Sequence, residues 1–194
     1  MSHSGSKQEI EIKLSVPSAE SGRGRILEAG FQVVVPRVFE ANTMYDTPEG
    51  FLRQKGFVLR LRRAGNVFTL TFKGSSVPGK YKSREEDEIV VSDYAAAESI
   101  VTKMGYGPVF RYEKYRTEFA KPQNGGSITL DETPIGDFLE LEGSPEWIDA
   151  TARALKFHEG EYIIDSYGKL YTIYCRSAGR HPTNMVFGEL RPHT

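Results

Sequence analysis

Glu9, Glu11 and Lys13 occupy every second position of the stretch Glu9-Ile10-Glu11-Ile12-Lys13-Leu14. In a β-strand this alternation puts the two carboxylates and the ammonium in a row on one face. Ile10, Ile12 and Leu14 then share the other face. Neighbouring carboxylates repel unless a cation or a proton lies between them. The row is therefore a candidate seat for a hard divalent cation, with an anion-binding lysine beside it. An exposed antiparallel strand shows the same alternation, so its meaning depends on whether the pattern recurs.

It does recur. Charged half-faces appear at Arg60/Arg62, Lys73, Arg84/Glu86/Glu88, Lys114/Arg116/Glu118, Asp131 and Glu140/Glu142. Arginine forks and lysine ammoniums match phosphate oxygens. Clustered carboxylates match Mg²⁺ or Mn²⁺, which prefer oxygen ligands and bridge to substrate phosphates. Both signs on one surface describe phosphoryl or nucleotidyl transfer, where positioning and charge neutralisation carry most of the catalysis.

The elements that must position these groups are short strands and a few helices. Residues 57–63 and 67–73 read as a hairpin around Ala64-Gly65-Asn66, with Arg60/Arg62 and Thr69/Thr71/Lys73 on its polar sides. Residues 82–91 form a further strand whose other face carries Glu85 and Asp87, so that face is expected to meet solvent. Strands are also expected at residues 37–46, 109–121, 127–131 and 138–142, with Asn124-Gly125-Gly126 as a hairpin turn. Helices are expected at residues 19–29, stopped by Gly30, and at 94–104 after Ser92 or Asp93. Two more start at Ser144-Pro145, running to about Phe157, and at Ser166; one helical turn is expected at residues 51–54. Two arrangements remain open. One is a sheet with a solvated polar face; the other is a closed antiparallel barrel of about eight strands with its charged side inward. Inward ions are tolerable only around a wet cavity that holds a polyanion and its metal ions.

Composition narrows the class. The chain has 194 residues, 39% hydrophobic and 26% charged, with a net charge of -1. That is ordinary for a soluble chain forming one domain with a real core, or at most two small ones, and unlike a bulk nucleic-acid binder. A single cysteine, Cys175, excludes an intramolecular disulfide or a multi-cysteine metal site. No apolar run approaches the roughly 18–20 residues of a membrane span. Residues 1–7 are polar and lack an apolar signal core, so a cytoplasmic location is expected.

Taken together these residues resemble the CYTH family, the triphosphate tunnel metalloenzymes. The resemblance rests on Glu9-x-Glu11-x-Lys13, Tyr45-Asp46-Thr47, Arg60-Leu61-Arg62, Thr71-Phe72-Lys73-Gly74, Arg84-x-Glu86-x-Glu88, Lys114-x-Arg116, Leu130-Asp131, Glu140-x-Glu142 and Ser166-Tyr167. It implies an α+β fold: a closed eight-stranded antiparallel β-barrel, or tunnel, with flanking helices. Residues 1–6 would be a flexible N-terminus, 7–175 the tunnel domain and 176–194 a patternless tail.

The resemblance also implies roles. Glu9, Glu11, Asp131, Glu140 and Glu142 would face the metal, with Glu86 and Glu88 serving the metal or orienting the bases. Lys13, Arg60, Arg62, Lys73, Arg84, Lys114 and Arg116 would hold phosphates, and Lys169 could reach the tunnel mouth. Glu9, Glu11 and Lys13 would be catalytic, with Mg²⁺ or Mn²⁺ as cofactor. The expected substrate is a small triphosphate (tripolyphosphate, ATP or thiamine triphosphate), with no nucleic-acid or membrane partner; a homodimer is left open. Hydrolysis of the terminal phosphoanhydride is favoured, because it needs only the tunnel. Conversion of ATP to cyclic AMP and pyrophosphate, as in class IV adenylyl cyclases, is the alternative. A polyphosphate- or nucleotide-binding module without catalysis is a third. Removing Glu9 and Glu11 is expected to be neutral or stabilising for the metal-free fold, since like charges are relieved.

Other signals are weaker. Gly74-Ser75-Ser76-Val77-Pro78-Gly79-Lys80 is close to a Walker A loop, but Tyr81 stands where Ser or Thr is needed and a strand follows. It reads as a loop near the tunnel entrance, where Lys80 and Lys82 could touch substrate. The four histidines lack metal-ligand spacing. Tyr167, Tyr171 and Tyr174 read as a helix core stripe.

Overall fold

The alternating strands close on themselves. The computed structural model describes residues 7–77, 79–122 and 125–188. In chain order the elements are β1 (Lys7–Val16), α1 (Ala19–Glu28), β2 (Gln32–Asp46), α2 (Phe51–Lys55), β3 (Val58–Ala64), β4 (Val67–Lys73), β5 (Lys82–Val91), α3 (Tyr94–Lys103), β6 (Gly107–Ala120), β7 (Gly126–Thr133), β8 (Gly136–Gly143), α4 (Pro145–Ala154) and α5 (Tyr167–Ser177). The eight strands form a closed barrel in the order β1-β5-β4-β3-β2-β6-β7-β8, and every neighbouring pair is antiparallel. Residues 1–6, Pro78, Gln123, Asn124 and 189–194 lie outside the described residues, and with them Asn124 of the expected hairpin turn.

Register decides which half-face looks inward. The apolar sides of β1, β7 and β8 (Ile12, Leu14, Ile128, Leu130, Leu139, Leu141) are buried outside the barrel with Ile26 of α1 and Ile148 of α4. Each such side chain contributes about 1.5–3 kcal/mol when removed from water. α3 covers β2 and β3 through Ala97, Val101, Tyr45 and Leu61. Glu85 and Asp87 are exposed on the outer face of β5, as their sequence position requires. α5 crosses one end of the barrel, where Tyr167, Tyr171 and Cys175 pack on Tyr112, Phe138 and Met185.

Ends are set by local chemistry. Ser18, Asp93, Ser144 and Ser166 each accept a hydrogen bond from the backbone N–H three residues on, and so start α1, α3, α4 and α5. Asp46 accepts from the N–H groups of Thr47, Leu52 and Arg53 and caps the turn of α2.

Three expectations need correction. β2 begins at Gln32 rather than Arg37 and runs through Pro36. β3 pairs only with residues 40–45, so the first half of β2 has β6 on one side alone, and the register to β6 shifts around Pro36. A missing N–H costs little at such an edge. The tail after α5 is not patternless in its described part. Met185 is fully buried and exchanges backbone hydrogen bonds with Arg111 and Glu113, alongside β6 where β7 does not reach. The ring of Phe187 lies 5.3 Å from that of Tyr115. The Walker-like loop binds protein instead of facing the tunnel: Lys80 Nζ lies 2.9 Å from Asp149 and 2.8 Å from Glu159.

Candidate active site

Closure turns the charged half-faces inward, around a cavity of about 700 Å³. Lining it are Glu9, Glu11 and Lys13 from β1, Arg60 and Arg62 from β3, Lys73 from β4, and Arg84, Glu86 and Glu88 from β5. Lys114 and Arg116 from β6 and Glu140 and Glu142 from β8 complete that set. The solvated-sheet alternative is thereby excluded.

Without a ligand the two signs neutralise each other. Lys73 Nζ lies 2.7 Å from Glu9 and 2.9 Å from Glu86, and Arg84 Nε lies 3.2 Å from Glu9. Lys82 reaches Glu11 at 2.6 Å, while Lys13 lies 3.5 Å from Glu11 and 3.1 Å from Glu140. Arg60 and Arg62 converge on Glu88 at 3.3 and 3.1 Å. Arg116 bonds both Asp131 and Glu140.

These contacts tune the ionisable groups. Burial raises the Glu9 carboxyl, and the like charge of Glu11 adds to this against the pull of Lys73. Burial also acts to raise Glu11, but Lys13 and Lys82 outweigh it and hold the carboxyl well below its ordinary value. Burial, then the neighbouring ammonium of Lys13, pushes Lys82 down to about 8 despite Glu11. Burial opposes the charge on Glu140, yet Lys13 and Arg116 keep it strongly ionised.

Two of the expected site residues sit elsewhere. Lys169 does not line the cavity; its exposed ammonium pairs with Asp165 at 2.7 Å, one helical turn back. Asp131 is fully buried beneath the wall, where its carboxylate takes Lys114 at 2.8 Å, Arg116, and the Tyr167 hydroxyl at 2.7 Å. With both oxygens engaged it positions the two bases rather than reaching the cavity.

Lys82, expected beside Lys80 near the tunnel entrance, does line the cavity as the first residue of β5, whereas Lys80 does not. Sequence reasoning also missed residues. Glu40 is buried between Arg62 and Lys114, both 3.6 Å away. Burial opposes its charge, but Lys114 and Arg116 draw the carboxyl down to about 2. It shares a face with Asn42 and Met44 on β2, where no run of charge draws attention to it. Tyr167 belongs to the expected helix stripe and lines the cavity as well.

The chain matches the CYTH domain over residues 7–166. It belongs to the CYTH family. A protein of Methanocaldococcus jannaschii, named "putative adenylate cyclase", is 27% identical over 148 residues, which is 76% of this chain and 83% of that one. The solved structure of a Vibrio parahaemolyticus protein, also named "putative adenylate cyclase", superposes with a TM-score of 0.73 at 22% identity, covering 85% of this chain and 98% of that one. A Hippeastrum "putative adenylyl cyclase", described as revealing a dominant triphosphatase activity, superposes with a TM-score of 0.64 at 17% identity over 96% of this chain and 99% of that one. At these identities the two superpositions speak for the fold. This CYTH chain thus carries its charged cavity on the family's barrel.

Proposed function

We propose that this CYTH protein is a divalent-metal-dependent triphosphatase that hydrolyses the terminal phosphoanhydride of a triphosphate inside the barrel. The observation that carries this reading is the charge balance of the cavity. Among the described residues, eight cationic side chains and seven inward acidic ones line it, so the two signs nearly balance. A triphosphate brings about four negative charges, which a neutral wall attracts weakly; paired with divalent cations it uses both signs.

The donor set fits such a cation. Among the described residues no three acidic, histidine or cysteine side chains converge. The acids come as neighbours instead: Glu9 beside Glu11 and Glu86, Glu11 beside Glu140. Mg²⁺ and Mn²⁺ suit this pattern, because Mg²⁺ commonly takes one or two carboxylates and completes its shell with water and phosphate oxygens. Glu9 is a ligand to expect, since it lines the cavity beside both Glu11 and Glu86. Glu11, Glu86, Glu88, Glu140 and Glu142 line the same cavity. A bound metal would neutralise phosphate charge and polarise the reacting group.

The bases do the rest. Lys13, Lys73 and Arg84 exchange carboxylate partners for phosphate oxygens. Arg60 and Arg62 fork onto phosphate in place of Glu88, and Lys114 and Arg116 are held ready by Asp131. Water adds to the terminal phosphorus as its bond to the bridging oxygen breaks; the bridging oxygen departs on the remaining diphosphate, the added water gives up a proton to solvent, and orthophosphate is released.

A second reading has one observation in its favour, the name of the Methanocaldococcus relative. In adenylyl cyclisation the ribose 3′-oxygen attacks the α-phosphorus and pyrophosphate leaves. Chromatography of the products after incubation with Mg²⁺ or Mn²⁺ and tripolyphosphate, ATP or thiamine triphosphate separates the cases. Orthophosphate supports hydrolysis. Cyclic AMP with pyrophosphate selects the cyclase, and saturable binding without turnover leaves a binding module.

A further inference from the structure

Most acids of the tunnel wall are engaged by bases. Glu9 and Glu86 bond Lys73, Glu11 bonds Lys82, Glu88 bonds Arg62, and Glu140 bonds Arg116. The carboxylate of Glu118 lines the same cavity, yet among the described residues no base or hydrogen-bond donor reaches it. It lies two positions beyond Arg116 on β6, on the same face and roughly 6–7 Å along the strand.

Beside it stands a second unspent group. Thr129 of β7 is directly opposite Glu118 in register, and Glu140 of β8 is directly opposite Thr129. Facing side chains of this kind have Cβ atoms about 5 Å apart, and all three residues line the cavity. Thr129 is 9% exposed, and its hydroxyl has no hydrogen-bond partner although a carboxylate flanks it on either side. Buried polar groups in folded proteins are paired, by a ligand or water if not by protein. A hydroxyl both donates and accepts, whereas a carboxylate only accepts. A small molecule seated between them must therefore donate to Glu118 while it bonds Thr129. Water meets both demands, and a phosphate oxygen does not. A cation would ask for more acids, and among the described residues no three acidic, histidine or cysteine side chains converge.

We propose that Glu118 is the general base of the hydrolysis and that Thr129 positions the attacking water against it. The inference rests on the triphosphatase reading of the same tunnel. Arg116 grips the terminal phosphate, and the water lies one step farther along the wall, between Thr129 and Glu118. As the water oxygen bonds to the terminal phosphorus, its proton passes to the Glu118 carboxylate. The bond from phosphorus to the bridging oxygen breaks, and its electron pair leaves on the diphosphate. The Glu118 carboxylic acid then returns the proton to solvent. Freedom from ion pairs suits this task, because a carboxylate bonded to an ammonium or guanidinium is stabilised as the anion and accepts a proton poorly. Glu11 and Glu140 are held in that way by their bases.

Steady-state hydrolysis of tripolyphosphate in Mg²⁺ by the full chain tests this. Glu118→Gln keeps the shape of the side chain and breaks no ion pair, so its urea midpoint should match the wild type. Its kcat should fall by about 10²–10⁴-fold, the usual share of a general base, with KM within about twofold. Added formate should raise the kcat of Glu118→Ala and leave that of the wild type unchanged. Thr129→Val should lose about three- to tenfold in kcat, and Thr129→Ser, which keeps the hydroxyl, should recover most of that loss. A Glu118→Gln kcat within about threefold of the wild type overturns the inference. So does a loss carried by KM or by the Mg²⁺ concentration for half-maximal rate, or a Glu118→Ala kcat that formate does not raise. In each of these cases the wild type still hydrolyses tripolyphosphate, and the triphosphatase reading stands. A folded wild type that hydrolyses none of tripolyphosphate, ATP and thiamine triphosphate overturns both.

Discussion

The ammonium of Lys73 lies 2.7 and 2.8 Å from the two carboxylate oxygens of Glu9, so base and acid occupy each other in the unliganded tunnel. A triphosphate and a divalent ion must part them, with Lys73 turning to phosphate and Glu9 to the metal. Lys73→Met should therefore act in opposite directions on the two ligands. Triphosphate affinity falls by about tenfold or more, as expected for one lost charge-assisted contact. Mg²⁺ affinity of the substrate-free protein rises, because Glu9 has lost its competitor. Calorimetry with each ligand separately reads both effects; a parallel loss of both would place Lys73 outside this exchange.

Glu11 carries a prediction that reverses the expectation from sequence. Like-charge relief suggests that deleting Glu9 and Glu11 is harmless to the fold, but Glu11 is the partner of Lys82 at 2.6 Å and of Lys13 at 3.5 Å. Removing one partner of a buried pair leaves unmatched charge, which costs about 3–5 kcal/mol. Glu11→Gln should lose stability of this order in metal-free urea denaturation. Glu9→Gln should lose less, since its carboxyl is already raised. A gain in stability for Glu11→Gln would show that repulsion dominates after all.

Asp131 should behave as a positioning residue. It is 0% exposed, and Lys114 and Arg116 both lean on it. Asp131→Asn is expected to destabilise by about 3–5 kcal/mol and to raise the KM for triphosphate, with the Mg²⁺ concentration for half-maximal rate unchanged. Tyr167→Phe, which deletes only the 2.7 Å hydrogen bond to Asp131, should cost about 1.5–3 kcal/mol. A direct metal ligand would instead shift the Mg²⁺ dependence.

Glu40 predicts how the fold responds to acid. Its carboxyl moves from the ordinary 4.5 down to about 2 in the folded protein, because Lys114 and Arg116 outweigh its burial. The unfolded chain therefore takes up this proton first as pH falls. The stability that Glu40 provides is complete above about pH 4.5 and gone once pH has passed below about 2. It is worth at most about 3 kcal/mol. Urea denaturation from pH 6 to pH 2 should show a shallower decline for Glu40→Gln than for the wild type, from a lower starting stability. Identical slopes would mean that Glu40 is not held ionised.

Much of the barrel is written as two-residue alternation, because a strand half in water and half in core must alternate. Arg60 against Leu61 and Glu140 against Leu141 report their faces without ambiguity. Alternation does not say which side is enclosed; closure needs the register of all eight strands, which no single strand carries. Charge drew attention to Glu9, Lys73 and Arg116, but isolated inward groups such as Glu40 and Asn42 have no repeating neighbour to mark them. Lys169 has the right type in the right helix, yet Asp165 offers it a nearer partner. Met185 is likewise invisible to periodicity, because the tail gains its order from an open stretch of β6 far away in sequence.

The most direct test is phosphorus NMR of the purified protein with ATP and with tripolyphosphate, in Mg²⁺ or Mn²⁺ and again after chelation. Metal-dependent orthophosphate, released from the terminal position and lost in the Glu9→Gln, Glu11→Gln double variant while that variant remains folded, is the predicted result. Cyclic AMP with pyrophosphate would contradict hydrolysis. Intact substrate with either metal would contradict catalysis in the tunnel altogether.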